Sequence, residues 1–344
     1  MYTIKTSERN NDKATEYETK SLLYLFTKIK GHEKIDWFII DCCNDVTGVN
    51  ENYSESWDVQ SKGVIGLTPK KIGVALYTLF ANYVSDISFN HYILYLPPIK
   101  DEYKKTLVNE IIFIENFKAK NLEKVKEGLE EEILRRSDPQ VIAKAAAIDN
   151  FLQEVVLIED SYKRVEYIRN IIQFKNLDKL EDEFLEKIFN EIRVLQAAKK
   201  ICNVHGQTLN SLQDTINLNK TISRKDIESL VVNRVIGNDL FTNKGVPIYF
   251  TPEIQGMEFD EISDILQDCQ SKIAKTLFNK NNKKTFWLLL EQIMEVILNS
   301  PNEPITNIAT KIDSALKSKV FTLDNKALLY LIALVKEGLK NENS

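Results

Sequence analysis

The chain is poor in the residues that announce the commoner chemistries. It holds four cysteines, Cys42, Cys43, Cys202 and Cys269, and no Cys-x-x-Cys. That spacing argues against a zinc ribbon and a disulfide framework. Its three histidines, His32, His91 and His205, are scattered, which argues against a histidine-rich metal centre. There is no G-x-x-x-x-G-K-[ST] and no G-x-G-x-x-G, so a nucleotide-phosphate cradle is excluded and any ATPase must be a separate chain. No run of roughly eighteen apolar residues exists to span a membrane. No secretory leader is read at the start, so the reduced cytoplasm is the expected compartment. A basic excess is missing too: the net charge is -5 over 344 residues. A nucleic-acid-binding protein with this balance gathers its basic residues locally, or works inside a complex that supplies them.

What is present is ordinary globular material, 43% hydrophobic and 28% charged, long enough for two domains. Residues 1–10 are polar and read as frayed. A helix is expected from Asp12 to Lys30, with Leu22, Leu25, Phe26 and Ile29 at helical spacing and Glu18 on the same stripe. Gly31 reads as its stop. Asp36–Cys43 reads as a central strand, and a second strand ends at Lys62. Thr68-Pro69 opens another helix with proline at its first position. Phe89–Leu96 is a further strand. This order makes a compact α/β module of about 100 residues. From Asp101 to Asn243 nearly everything reads as helix, including Tyr103–Phe117, Val141–Ile158, Tyr162–Phe174, Leu180–Cys202 and Lys225–Leu240. Val246–Phe250 is a short strand or an extended connector. Asp260–Phe278, Lys284–Leu298, Asn307–Leu316 and Leu323–Lys340 are further helices.

The densest chemistry lies in Ser56-Trp57-Asp58-Val59-Gln60-Ser61-Lys62. Alternate side chains of a strand share a face, so Asp58, Gln60 and Lys62 lie on one side. Polar groups in a row on an otherwise buried strand need a reason. With Asp45 upstream the pattern is Asp-x(14)-Gln-x-Lys. That spacing suits a hairpin setting a carboxylate beside an amide oxygen and an ammonium. Asp45 and Gln60 offer oxygen ligands for Mg²⁺, Glu18 a further ligand from the first helix, and Lys62 a group to position water or meet developing charge. The other reading of these residues is a salt-bridged hairpin without chemistry.

Residues 12–97, about a quarter of the chain, resemble the PD-(D/E)xK nuclease superfamily. Thr15–Leu23 resembles the helix that carries that superfamily's extra glutamate, here Glu18. Asp45 matches its metal-binding aspartate, and Gln60-Ser61-Lys62 its (E/Q)-x-K element in the Gln form of Mrr-like defence nucleases. Within the superfamily the segment looks most like the effector nuclease domain of CD-NTase-associated endonucleases and Lamassu-type antiphage nuclease subunits. The resemblance implies an N-terminal restriction-endonuclease-like α/β nuclease core (residues 1–100) and a mostly α-helical C-terminal domain (101–344) for oligomerisation or partner docking. It implies a Mg²⁺- or Mn²⁺-dependent double-stranded DNA endonuclease, held inactive until an infection cue assembles it. The implied partners are DNA, further copies as a dimer or tetramer, and an SMC-like ATPase sensor, with no membrane. The surroundings of Asp45 are Asn-Asp-Val-Thr-Gly rather than the family's usual context, which leaves Asp41 and Asp58 open as the metal aspartate. The hairpin spacing favours Asp45, since Asp58 shares a strand with Gln60.

Lys70 and Lys71, opening the second helix, are candidates for DNA phosphates or a solvated basic pair. Arg135-Arg136 with Lys144 form a small basic spot, or an ordinary charged face after Glu130-Glu131-Glu132. Asn50, Glu51, Asn52 and Glu55 read as a solvated turn. Cys42 and Cys43 read as buried hydrophobes, and His91 and His205 as structural. Two alternatives stand beside the DNA nuclease: a non-catalytic helical adaptor that keeps the nuclease-like fold, and an RNA-directed nuclease.

Overall fold

The structure, a computed structural model, describes residues 2–4, 12–106, 110–176, 180–241 and 245–342. Contacts divide the chain into two units. The first is residues 1–167 with 189–224, and the second is 168–188 with 225–344.

The first unit is built on a mixed sheet flanked by helices. Its elements begin with β1 (Tyr2–Thr3), α1 (Asp12–Thr27), β2 (Trp37–Ile40), β3 (Val46–Val49) and β4 (Ser56–Ser61). Then come α2 (Pro69–Ala75), α3 (Tyr77–Tyr83), β5 (His91–Leu96), β6 (Ile111–Phe113) and α4 (Ala119–Arg136). α5 (Pro139–Ala143), α6 (Ile148–Glu154) and β7 (Val156–Glu159) follow. The division between units falls within α7 (Arg164–Ile171) and α8 (Asp182–Lys200). The unit ends with β8 (Thr208–Leu209) and β9 (Thr221–Ser223).

The sheet among the described residues has seven strands in the order β6-β7-β5-β4-β3-β2-β9. β2, β3 and β4 form an antiparallel meander in which Val46 faces Val59 and Val49 faces Ser56. β5 then runs parallel to β4, with Ser61 beside Tyr95, and β7 runs parallel to β5. A parallel neighbour needs a crossover, and α2 with α3 provides it. The chain signals that crossover locally. Thr68 caps α2 by accepting a hydrogen bond from the Lys71 amide, and Pro69 occupies the first turn.

Several expectations need correction. α1 ends at Thr27 rather than Lys30, and it buries more than its apolar stripe, since residues 18–26 are all buried. Its polar members Glu18, Thr19, Lys20 and Ser21 are each satisfied inside the fold. The segment Val46–Val49 adds a strand, β3, between the two expected there. The stretch 101–243 is not nearly all helix, since it contributes β6, β7, β8 and β9. Tyr103–Phe117 holds β6 between short turns, and Ile111 and Phe113 are exposed while Ile112 is buried, the two-residue period of an edge strand. Val141–Ile158 is broken into α5, α6 and β7. The strands carry the sheet past residue 100, so the contact division does not fall there. Val246–Phe250 is not a strand, because a short tight helix begins within it at Ile248 and runs to Ile254, with only Val246-Pro247 left as a connector. Tyr2–Thr3 is paired with β8. Most of the remaining 1–10 segment lies outside the described residues.

The second unit is helical: α9 (Arg224–Ile236), α10 (Phe259–Leu277), α11 (Lys283–Asn299), α12 (Ile305–Lys311), α13 (Ser314–Lys319) and α14 (Asn325–Glu342). Asn307–Leu316, read as one helix, is divided at Ile312–Asp313 between α12 and α13. Ala327–Val335 of α14 are buried throughout, and α10, α11 and α12 pack against that helix. A helix apolar on every side belongs in the centre of its unit. No described helix is long and apolar enough to cross a membrane.

Candidate active site

The β3–β4 hairpin carries the centre of the site. Val46 opposite Val59 puts Asp45, just before β3, level with the end of β4. There Gln60 Nε2 donates to Asp45 Oδ2 at 2.8 Å. The Ser61 amide and hydroxyl donate to the same oxygen, each at 2.7 Å. Gln60 Oε1 accepts from Thr78 Oγ1 of α3 at 2.7 Å. Lys62 extends the parallel ladder by one bond, its amide donating to the Tyr95 carbonyl at 2.8 Å, and its side chain is half-buried. Asp45, Gln60 and Lys62 therefore gather where the parallel strands end, the edge at which such sheets expose their sites.

Glu18 reaches this region from α1. Lys200, the last residue of α8, forms an ion pair with it. Burial, with the negative charge of Asp45 added, raises the Glu18 carboxyl well above the ordinary carboxylate range, against the pull of Lys200. α1 is fixed at two further points. Thr19 Oγ1 donates to Gln196 Oε1 at 2.7 Å, and Lys20 Nζ donates to Asp160 Oδ2 and to the Tyr162 carbonyl, both at 2.8 Å.

Asp58 and Asp41 have other occupations. Asp58 is fully buried on the α3 side of β4. It accepts from Asn44 Nδ2 at 2.6 Å, Asn82 Nδ2 at 2.8 Å and Thr47 Oγ1 at 3.3 Å. Burial pushes its carboxyl up to about 7 although those donors oppose the shift. Asn82 also donates to the Cys43 carbonyl at 3.2 Å, and Tyr2 donates its hydroxyl to Asn82 Oδ1 at 3.0 Å. Asp58 thus ties the loop before Asp45 to α3. Asp41 adopts a left-handed backbone, φ 49°, and its carboxylate lies 3.6 Å from Lys220 Nζ.

Lys70, Arg135, Arg136 and Lys144 are engaged with acids or backbone. Lys70 Nζ lies 3.1 Å from Glu127 and 2.7 Å from Glu131 of α4, and Lys71 is exposed. Arg135 and Arg136 both pair with Glu132, and Lys144 Nζ donates to the Val84 carbonyl. The 50–55 loop is an exposed turn closed on itself, with the Glu55 amide donating to Asn50 Oδ1. Cys42 and Cys43 sit in the bend after β2 rather than inside the strand. His91 stacks on Trp57 with ring centres 5.2 Å apart. Sequence reasoning missed Lys200, Lys220, Asn82 and Thr78. Only Thr78 and Asn82 left a trace, four residues apart on one face of a helix that follows the motif.

The donor set fits a hard cation in kind. Asp45, Gln60 and Glu18 offer oxygen alone, as Mg²⁺ and Mn²⁺ prefer. Gln60 now turns its NH₂ toward Asp45 and its oxygen toward Thr78. Reversing the amide keeps the Thr78 bond, because a hydroxyl both donates and accepts, and presents the oxygen beside Asp45. Among the described residues, no three His, Cys, Asp or Glu side chains come together as a metal-holding group. Gln60→Glu tests the pair directly. Two adjoining carboxylates repel without a cation, so the variant should lose about 1–2 kcal/mol in its absence. Millimolar Mg²⁺ should restore its melting temperature more than it raises that of the parent. Melts unchanged by Mg²⁺ in both proteins would count against a cation at this pair.

Comparison of the chain with family models, with curated proteins and with solved structures finds no match.

Proposed function

We propose that the chain is a metal-dependent endonuclease acting on double-stranded DNA, the effector of a prokaryotic antiphage defence complex. The observation that carries the reading is the meeting of Asp45 and Gln60 at the end of β4, with Lys62 the residue after the strand. The order α1, antiparallel β2-β3-β4, helical crossover, parallel β5 supports it, because a core of the PD-(D/E)xK kind places its motif on that hairpin. Asp45 and Gln60 would hold Mg²⁺ or Mn²⁺, with Glu18 as a further ligand directly or through water. When bound, the ion offsets phosphate charge and lowers the pKa of a water. Lys62 orients the attacking water or meets the charge that develops on the phosphate. Ser61 and Thr78 hold Asp45 and Gln60 in place.

The net charge of -5, and a Lys70 committed to two glutamates, fit a subunit that meets DNA only within an assembly. Two or more copies would cut both strands, and an SMC-like ATPase would supply the trigger. One observation favours the adaptor reading. Asp45 Oδ2 is already bonded by three protein donors and Glu18 by Lys200.

The test is incubation with plasmid and Mg²⁺, alone and with the products of neighbouring genes. Asp45→Ala and Lys62→Ala should each lower cleavage by at least about a hundred-fold, the scale of removing one charge-stabilising group. Cleavage that persists unchanged in both variants would sink the site. Cleavage under no condition would favour the adaptor. A parallel RNA arm separates the two nucleic-acid substrates.

A further inference from the structure

We infer that Lys200 is the internal counter-cation of the candidate metal site. Its ammonium occupies Glu18, and a divalent cation that takes Glu18 as a ligand displaces it. The inference rests on reading Asp45, Gln60 and Glu18 as the metal-holding set.

The pair is placed by construction. The Glu18 and Lys200 side chains are 7% and 13% exposed, so their charges are little screened by water. The bond between Thr19 and Gln196 joins the same two helices one turn earlier along α8. That fixes where the end of α8 arrives. A second lysine completes the arrangement. Lys220 is 1% exposed, faces Asp41 at 3.6 Å and donates to the Lys200 carbonyl at 3.4 Å. The backbone at residue 200 is therefore held while its ammonium turns to Glu18.

Competition for one carboxylate gives the exchange its direction. Glu18 and Lys200 form a closely buried ion pair. A divalent cation ligated by Glu18 would stand beside the Lys200 ammonium, and like charges in a poorly screened setting repel. Cation entry and Lys200 departure are therefore coupled, and the lysine stands in for the ion when no metal is bound.

The experiment reads metal binding and lysine exposure, not cleavage. Mn²⁺ affinity is measured by calorimetry on the full chain for the parent, Lys200→Met, Glu18→Gln and the double variant, with thermal melts confirming that each is folded. Lys200→Met should bind Mn²⁺ about ten-fold more tightly, the scale on which one close charge alters another's equilibrium. Glu18→Gln should erase that gain in the double variant. In the parent itself, Mn²⁺ should raise acylation of Lys200 by acetic anhydride, followed by mass spectrometry, so the result does not depend on any variant folding. Mn²⁺ binding that is lost in Asp45→Asn, yet accompanied by unchanged Lys200 acylation and an unchanged Lys200→Met affinity, would overturn the inference and leave the metal site standing. Mn²⁺ binding that survives Asp45→Asn would overturn the metal site, and the inference with it.

Discussion

Alanine at Gly128 is expected to cost the first unit about 2–3 kcal/mol net, although alanine is the better helix former. Gly128 lies within α4, where the propensity difference alone favours alanine by about 1 kcal/mol. The crossing with α2 reverses the sign. A Cβ at Gly128 would stand 2.0 Å from the Lys70 carbonyl oxygen, and one at Gly73 would stand 1.9 Å from that of Val125. Both obstacles are backbone, so no side chain can swing aside. The helices must separate by roughly 1 Å or more, opening the contacts of Ile72, Val125 and Leu129, which are now fully buried. Overpacking typically costs about 1–3 kcal/mol and sometimes more, and a clash with backbone belongs at the upper end. A melting temperature lower by roughly 5–10 °C follows for a unit of this size. Gly66→Ala is the control. Gly66 has φ +73° but nothing within 4 Å of its would-be Cβ, so only local backbone strain applies. Gly128→Ala melting at or above the parent would mean that α2 and α4 do not cross this closely. The effect also reaches the site, because α3 follows α2 and supplies Thr78 and Asn82 to Gln60 and Asp58. The second unit repeats the device, with the would-be Cβ of Gly338 1.9 Å from the Ile236 carbonyl oxygen.

The parts of this fold legible in the sequence are those whose cause is local. Thr68 and Pro69 mark the start of α2 because a cap and a fixed φ act within one turn. The hairpin pairing Asp45 with Gln60 follows from short loops and two-residue alternation, and the structure has it. What was illegible is long-range. β7 is four residues and β9 three. Runs that short carry no periodicity separating them from the helices alongside. Val156-Leu157-Ile158 directly follows α6, and the sequence shows only a continued apolar stretch. Lys200 lies 182 positions from Glu18, and no spacing rule connects them. The stripe of α1 was legible for a local reason, while the burial of Thr19 and Lys20 was not, because Gln196 and Asp160 arrive from far along the chain to bond them.

The stability of Asp58→Asn relative to the parent should rise between pH 5 and pH 8. The residue is an acid whose carboxyl is raised from its ordinary 3.8 to about 7, chiefly by burial. Below 3.8 both folded and unfolded chains carry the proton, and the group is neutral in its effect. Between 3.8 and 7 the unfolded chain releases the proton while the folded chain keeps it, so stability falls as pH rises. Above about 7 the decline is complete, and the gap corresponds to roughly 4 kcal/mol. The asparagine variant lacks this titration, and Glu18 titrates in both proteins, so its contribution cancels. The introduced amide carries a separate cost at every pH. Asn44 and Asn82 both point NH₂ groups at this position, and an amide there meets donors with a donor, leaving a buried polar group unpaired at about 1–3 kcal/mol. The parent's stability relative to the variant should therefore fall by roughly 2–3 kcal/mol between pH 5 and pH 8, enough to offset or reverse the cost of the amide. Melting curves measure the gap. Hydrogen exchange at β3 and β4 amides shows whether the loss begins at the hairpin, as it must if Asp58 anchors the Asp45 loop. A difference that stays constant or moves in the parent's favour as pH rises would mean that the three donors hold Asp58 ionised and outweigh its burial. In that case Asp58 would be a permanent charge beneath the site, and the negative potential around Asp45 would be larger by one charge at every working pH.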